Sequence, residues 1–304
     1  MVTRPWLQLV RLPAVFTAMA DIFCGFLLAH GTLAPNGCPL DFALLLGASS
    51  CLYMAGMVFN DVFDRRIDAV ERPLRPIPSG TVSLRAASIL GGLLVIGGVA
   101  AAAVVGAQSL LVALGLTACI FVYDGLLKGT PLGPLAMGGC RFLNIMLGAS
   151  AVASAADLWR PPQLCVAGAL GVYITGVTWF ARNEARQSGR GPLAAAMLVI
   201  NAGLAALAAL VLLYPWTSQP AARDRQVVFL ILAVSLLSIN RRLTAAVLDP
   251  SPARVQPAVR TMILSLIVLD ASILLIATRD PLLAGATVAL LIPAAVLGRW
   301  VFVT

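Results

Sequence analysis

Runs of apolar residues follow one another almost end to end along the 304-residue chain, at 12–31, 40–60, 83–105, 108–124, 132–154, 163–182, 191–214, 226–240, 259–278 and 281–302. Most reach the roughly 20 residues that a helix needs to cross a hydrocarbon core about 30 Å thick. They are too long for barrel strands and lack the two-residue alternation that such strands require. A backbone surrounded by lipid must satisfy its own hydrogen bonds, so each run is expected to be a helix. Direct counting gives ten spans, or nine if the short run at 226–240 is re-entrant or interfacial. The expected fold is all-α, a polytopic membrane helical bundle. No linker or low-complexity tract divides it, so one domain is expected over 1–304.

Composition narrows the function classes. The chain is 60% hydrophobic and 11% charged, against about 25% charged in soluble domains. A soluble globular enzyme and a disordered chain are excluded. The net charge of +8 comes from arginines in short connectors. With no continuous basic face, no nucleic-acid partner is expected. Cys24, Cys38, Cys51, Cys119, Cys140 and Cys165 are scattered without a CxxC pair, and His30 is the single histidine. That spacing favours small core residues over a disulfide framework or zinc site. Arg4 and Arg11 precede the first apolar run as in a signal peptide, but no small-residue cleavage site closes it. It is expected to remain as the first helix.

The connectors predict an orientation. One set carries Arg4, Arg11, Arg65, Arg66, Arg72, Arg75, Arg85, Lys128, Arg182, Arg186, Arg190, Arg241, Arg242, Arg254 and Arg260, the other only Arg160, Arg223, Arg225 and Arg279. Positive charge marks the cytoplasmic side, so both termini and the connectors at 61–82, 125–131, 183–190 and 241–258 are expected to face the cytoplasm. Paired glycines such as Gly91-Gly92, Gly97-Gly98 and Gly138-Gly139 suit close packing of membrane helices.

The end of the second run holds an acidic cluster: Asn60, Asp61, Asp64, Asp68 and Glu71. On a helix continued past the membrane edge, Asn60, Asp64 and Asp68 recur at i, i+4 and i+8, with Asp61 one turn from Asp64 and two from Asp68. All four project to one side. Like charges at this spacing destabilise a bare helix, so a cation should neutralise them. Hard oxygens on a membrane rim suit Mg²⁺, which completes its shell with water and substrate phosphates. The alternative is a solvated helix end with Arg65 and Arg66 as surface partners. Directly afterwards comes Arg72-Pro73-Leu74-Arg75-Pro76-Ile77-Pro78-Ser79-Gly80. Two guanidinium forks on a proline-stiffened loop match phosphate oxygens.

Together, Asn60-Asp61-x-x-Asp64-x-x-x-Asp68 and the Arg-Pro loop resemble the signature of the UbiA superfamily of intramembrane prenyltransferases. The resemblance implies a helical bundle around a central cavity, in the inner (cytoplasmic) membrane of a bacterium. It implies transfer of a prenyl group from a polyprenyl diphosphate to an acceptor, often aromatic, with Mg²⁺ as cofactor. Asn60, Asp61, Asp64 and Asp68 would hold the metal, with the three aspartates catalytic. Asn60, Arg72 and Arg75 would meet the diphosphate. Tyr123-Asp124-Gly125-Leu126-Leu127-Lys128 resembles the family's Tyr…Leu-Lys element, in which Lys128, the chain's single lysine, is either a phosphate ligand or a topology charge. Arg141 and Asn144 share a face of the fifth run about 15 Å into the span. An arginine at that depth is a functional candidate that lines the cavity, or else it pairs with Asp21 or Asp270.

The chain departs from the family at the second acidic motif. The corresponding stretch reads Arg182-Asn183-Glu184-Ala185-Arg186-Gln187, with one acid and two arginines. One metal is expected in place of two. Arg182 and Arg186, one turn apart, would contribute positive charge to the diphosphate beside Asn183 and Glu184; the plainer alternative is topology charges with Glu184 paired to one of them. The phrases at 140–148 and 176–184 resemble the branch encoded in bacterial ebo gene clusters. Two competing functions follow from the same residues. Asp21, Arg141 and Asp270 would form the polar pathway of a lipid carrier or transporter, and the depleted second motif would suit a scaffold without catalysis. Tyr53, Tyr123, Tyr173 and Trp179 are available to stack on an acceptor ring or simply to pack.

Overall fold

The computed structural model describes residues 3–216 and 222–300, and every regular element among them is helical. A short α1 (Thr3–Leu9) leads into α2 (Leu12–His30) and the long α3 (Leu40–Glu71). Helices α4 (Leu84–Val105) and α5 (Ala107–Val122) form a hairpin around Gly106, whose φ of 155° suits glycine alone. A π turn (Tyr123–Leu127) continues α5, followed by α6 (Gly133–Gly148), the single-turn α7 (Ala155–Leu158) and α8 (Pro161–Ala181). Then come α9 (Arg190–Leu213), α10 (Ala222–Leu248), α11 (Pro252–Thr278), α12 (Pro281–Ala289) and α13 (Leu291–Trp300).

Among the described residues, nine helical runs are long and apolar enough to cross a membrane. A tenth crossing is α6, whose 16 residues span about 24 Å. Its ends require it: Gly129, just before it, meets Arg182 after α8, while Ser150, just after it, bonds Ser109 at the start of α5. The run expected at 132–154 is therefore a shorter helix. The run at 226–240 is no re-entrant piece, for it lies inside the 27-residue α10. The last run breaks between α12 and α13 because Pro293 cannot accommodate the carbonyl of Ala289; residues 301–302 of that run lie outside the described residues.

Lipid supplies no hydrophobic drive between helices, so close packing must hold the bundle. Leu93, Ile96, Leu111, Leu212, Leu230 and Leu237 point outward, while Phe26, Leu45, Ile145, Leu170, Tyr173 and Leu207 fill the interior. At least one glycine of each noted pair faces a neighbour: a Cβ on Gly91 would meet Phe59, on Gly98 Leu52 and on Gly138 Thr175. The closest approach joins α2 to α6. A Cβ on Gly25 would lie 2.0 Å from the Ile145 carbonyl oxygen, and one on Gly148 would lie 2.8 Å from that of Ile22.

Candidate active site

At 32 residues, α3 is about 48 Å long, well beyond the roughly 30 Å of a hydrocarbon core. Its surplus carries Asn60 through Glu71 out of the span. The helix ends at Arg72, and the following loop curls back through Ser79 N–H to Arg75 carbonyl (2.9 Å) and Val82 N–H to Pro76 carbonyl (3.0 Å). Gly80 permits the reversal with φ 73°. Arg75 is thereby laid along the acidic face. Its Nη1 lies 2.7 Å from Asp68 Oδ2 and 3.2 Å from Asp61 Oδ1. Both carboxylates are about 5% exposed, so they depend on such partners.

Two further segments complete the cluster. Arg11 sits between α1 and α2 in the left-handed region (φ 46°), and its Nη2 reaches Asp61 Oδ1 at 3.1 Å and Asn60 Oδ1 at 3.3 Å. From the π turn, Lys128 pairs with Asp64 and Asp124 Oδ1 accepts from Asn60 Nδ2 at 2.8 Å. The backbone bond that defines this turn runs from Lys128 N–H to the Tyr123 carbonyl at 2.8 Å. Acids on α3 thus alternate with cations from three other segments. Arg65, which donates to the Val62 carbonyl at 3.0 Å, is not their partner.

The second stretch forms an adjoining pocket of about 270 Å³ lined by Glu71, Arg72, Arg182, Asn183, Glu184 and Arg186, with Ala181 and Ala185. Arg182 donates to the Gly129 carbonyl at 2.7 Å, and Arg186 pairs with Glu71 at the exposed rim. The Asn183 carbonyl accepts from Ser188 Oγ at 3.2 Å. Burial pushes the Glu184 carboxyl above its ordinary range, against the pull of Arg72, Arg11 and Arg75. Neither arginine pairs with Glu184 through its side chain.

Arg141 and Asn144 are not part of this cluster. Arg141 Nε lies 2.8 Å from Asp21 Oδ1, and its Nη2 donates to the Thr17 carbonyl at 2.9 Å. Asn144 Nδ2 donates to Asp21 Oδ2 at 2.7 Å and to the Ala18 carbonyl at 3.0 Å, while its Oδ1 accepts from Ser49 Oγ at 2.7 Å. Asp270 is fully buried beside Asp21 and Arg141. In this arrangement the two α6 side chains turn toward α2; of the two partners anticipated for Arg141, Asp21 takes the direct contact.

Hard oxygens from Asn60, Asp61, Asp64 and Asp68 are the donor set Mg²⁺ favours. Among the described residues, no three ligating side chains converge on one point. Each aspartate is held by a guanidinium or ammonium group, and those same groups can turn to phosphate oxygens as an ion enters. The donor set therefore fits the ion with the cations exchanged. Arg11 and Asp124 were not among the expected ligands. Arg11 reads in sequence as a topology charge. Asp124 shows one signal, the five-residue step from Tyr123 to Lys128, which a regular α-helix does not keep on one face.

Fold and site together define a polytopic membrane protein with a charged cup at one end of its bundle. Residues 18–256 match the UbiA prenyltransferase family, and the chain belongs to that family. It is 40% identical over 108 residues to the digeranylgeranylglyceryl phosphate synthase of Methanoculleus marisnigri, covering 35% of this chain and 37% of that protein. With the synthase of Saccharolobus solfataricus the figures are 32% over 157 residues, 51% and 54%. The chain spans between about a third and a half of the length of the curated relatives it matches. The apo structure of a UbiA homologue from Aeropyrum pernix K1 superposes with a TM-score of 0.67 at 22% identity, covering 90% of this chain and 96% of that one. A UbiA homologue from Archaeoglobus fulgidus bound to GPP and Mg²⁺ gives 0.56 at 15% identity, covering 94% and 99%. These two likenesses establish the shared fold.

Proposed function

We propose that this chain transfers a prenyl group from a prenyl diphosphate to an acceptor inside a bacterial inner membrane, with the charged cup on the cytoplasmic face. The observation that carries this is the alternation of Asp61, Asp64 and Asp68 on one helix face with Arg11, Arg75 and Lys128 from separate segments. A divalent ion and a diphosphate present the same alternation of charge, so they can replace the internal pairs without leaving any buried charge unmatched. The arginine-rich connectors of this end support the cytoplasmic orientation.

Asn60, Asp61, Asp64 and Asp68 would hold one Mg²⁺, whose chemistry is to neutralise the diphosphate as a leaving group. Arg75, Arg11 and Lys128 turn from their carboxylates to phosphate oxygens, holding the donor head at the rim. Arg72, Arg182 and Arg186 line the adjoining pocket and add positive charge where the family's second acidic motif is depleted. The apolar helices below exclude water from the allylic carbon while its bond to the diphosphate oxygen breaks and the bond to the acceptor forms. The proton lost by the acceptor passes to a nearby carboxylate or to the released diphosphate.

The test is diphosphate release by the full chain in lipid nanodiscs with geranyl, farnesyl or geranylgeranyl diphosphate and Mg²⁺, with and without membrane extract or a prenylated glyceryl phosphate as acceptor. Release that requires Mg²⁺, acceptor and Asp64, the last judged with Asp64→Asn, supports the transferase. Saturable donor binding without release from any donor would overturn it in favour of a carrier on the same fold.

A further inference from the structure

We propose that Asp124 is a positioning residue that sets which end of the Asn60 amide faces the metal and the diphosphate. The inference rests on the prenyl-transfer reading above and deepens it.

An asparagine side chain has two unlike ends, and a hard cation accepts only the oxygen. An unconstrained amide presents its NH₂ group about as readily. Here both ends are fixed. Asp124 is a carboxylate with acceptors only, so at 2.8 Å it can take nothing but the Nδ2 end. Arg11 is a donor only, and its Nη2 stands 3.3 Å from Oδ1 on the other side. A flipped amide would set acceptor against acceptor and donor against donor. When Arg11 turns to phosphate, Asp124 alone keeps the oxygen aimed at the acidic face.

Asp124 lies at the start of the π turn. Residues 124 and 128 are four apart on this element, and Asn60 and Asp64 are four apart on α3. The two elements meet in successive rungs, Asp124 with Asn60 and Lys128 with Asp64. A π turn winds i to i+5 and shifts the phase of the helix beyond it. An ordinary helical turn from the buried Tyr123 would rotate Lys128 away from its rung. The extra residue therefore serves Lys128, while Asp124 on the preceding rung holds Asn60.

Partners that orient a metal ligand typically contribute 10- to 100-fold to metal affinity. The experiment measures Mn²⁺ binding by electron paramagnetic resonance on the full chain in nanodiscs, with Asp64→Asn as the site control. Asp124→Leu is expected to weaken Mn²⁺ binding about 10-fold or more. Asp124→Asn removes the charge but keeps an acceptor for Asn60 Nδ2, and is expected to stay within about threefold of the parent. Asn60→Asp added to Asp124→Leu makes both ends oxygens and is expected to restore binding. Equal losses in Asp124→Asn and Asp124→Leu would mean that Asp124 acts by charge, and no loss in either would mean that it orients nothing; both overturn the inference alone. A parent protein that binds no Mn²⁺ overturns the prenyl-transfer reading and the inference with it. Metal-free thermal midpoints establish that the variants are folded. Should Asp124→Leu not accumulate, Asp124→Ser, too short to reach Asn60, takes its place.

Discussion

Replacing Gly25 by alanine is expected to dismantle the buried polar network between α2 and α6. The new Cβ would stand 2.0 Å from the Ile145 carbonyl oxygen, whereas a carbon and an oxygen settle at about 3.3 Å. The obstacle is backbone, so the helices must part by about 1.3 Å at this point. Such a shift takes the 2.7 Å contact of Asn144 with Asp21 and the 2.9 Å contact of Arg141 with the Thr17 carbonyl to about 4 Å, past hydrogen-bonding range. The 3.0 Å bond of Asn144 to the Ala18 carbonyl and the 2.8 Å contact of Arg141 with Asp21 are stretched alike. Polar contacts between membrane helices contribute about 0.6 kcal/mol on average and at most about 1.7. Losing these four contacts costs about 2–7 kcal/mol, enough to lower a thermal midpoint by about 4 °C or more. The assay is thermal unfolding in nanodiscs, with Gly92→Ala and Gly97→Ala as controls, because a Cβ there meets nothing within 4 Å. Those controls should match or slightly exceed the parent, since alanine is the better helix former. A Gly25→Ala protein that melts with the controls would refute the packing argument.

Arg75→Gln leaves Asp61 and Asp68 facing each other with Arg11 as the nearest remaining guanidinium; its thermal midpoint should fall, and millimolar Mg²⁺ should raise it by more than it raises the parent's. Lys128→Met removes Asp64's partner and is expected to weaken prenyl diphosphate binding about 10-fold or more, read by titration calorimetry. Glu184 has its carboxyl pushed up by burial, so its protonated form fits the fold better and stability is present below the ordinary carboxylate range and lost as pH rises through the elevated value. Glu184→Gln should then exceed the parent's thermal midpoint at pH 7 and lose that advantage toward pH 4, measured as the difference between the two proteins across pH.

The helix count, the acidic face and the Arg-Pro loop were all legible in the sequence, because each depends on local periodicity. Ten crossings are countable, although 226–240 is the shortest apolar run in the sequence and α6 the shortest crossing in the structure. Asp61, Asp64 and Asp68 share a side by helical spacing alone, and Arg75 follows closely enough in the chain to fold back on them. Arg11 and Asp124 were illegible for the opposite reason. Asn60 is 49 residues from Arg11 and 64 from Asp124, and no local pattern joins them. Arg141 marked itself as important by its depth, yet depth could not choose between a cavity and an ion pair.

The sequence by itself determined the solvent, the helices, the acidic face of α3 and the arginine loop behind it, because hydropathy and 3.6-residue periodicity act within single segments. Tertiary structure alone decided which charges meet. Gly25 and Gly148 bring α2 against α6 closely enough for Arg141 to reach Asp21. A left-handed residue between α1 and α2 swings Arg11 over Asp61, and the end of α5 stands beside α3 so that Asp124 meets Asn60 and, past the π turn, Lys128 meets Asp64. In a medium that hydrates no charge, the partner of a buried carboxylate is settled by where neighbouring helices stand, and one chain's local pattern holds no record of that.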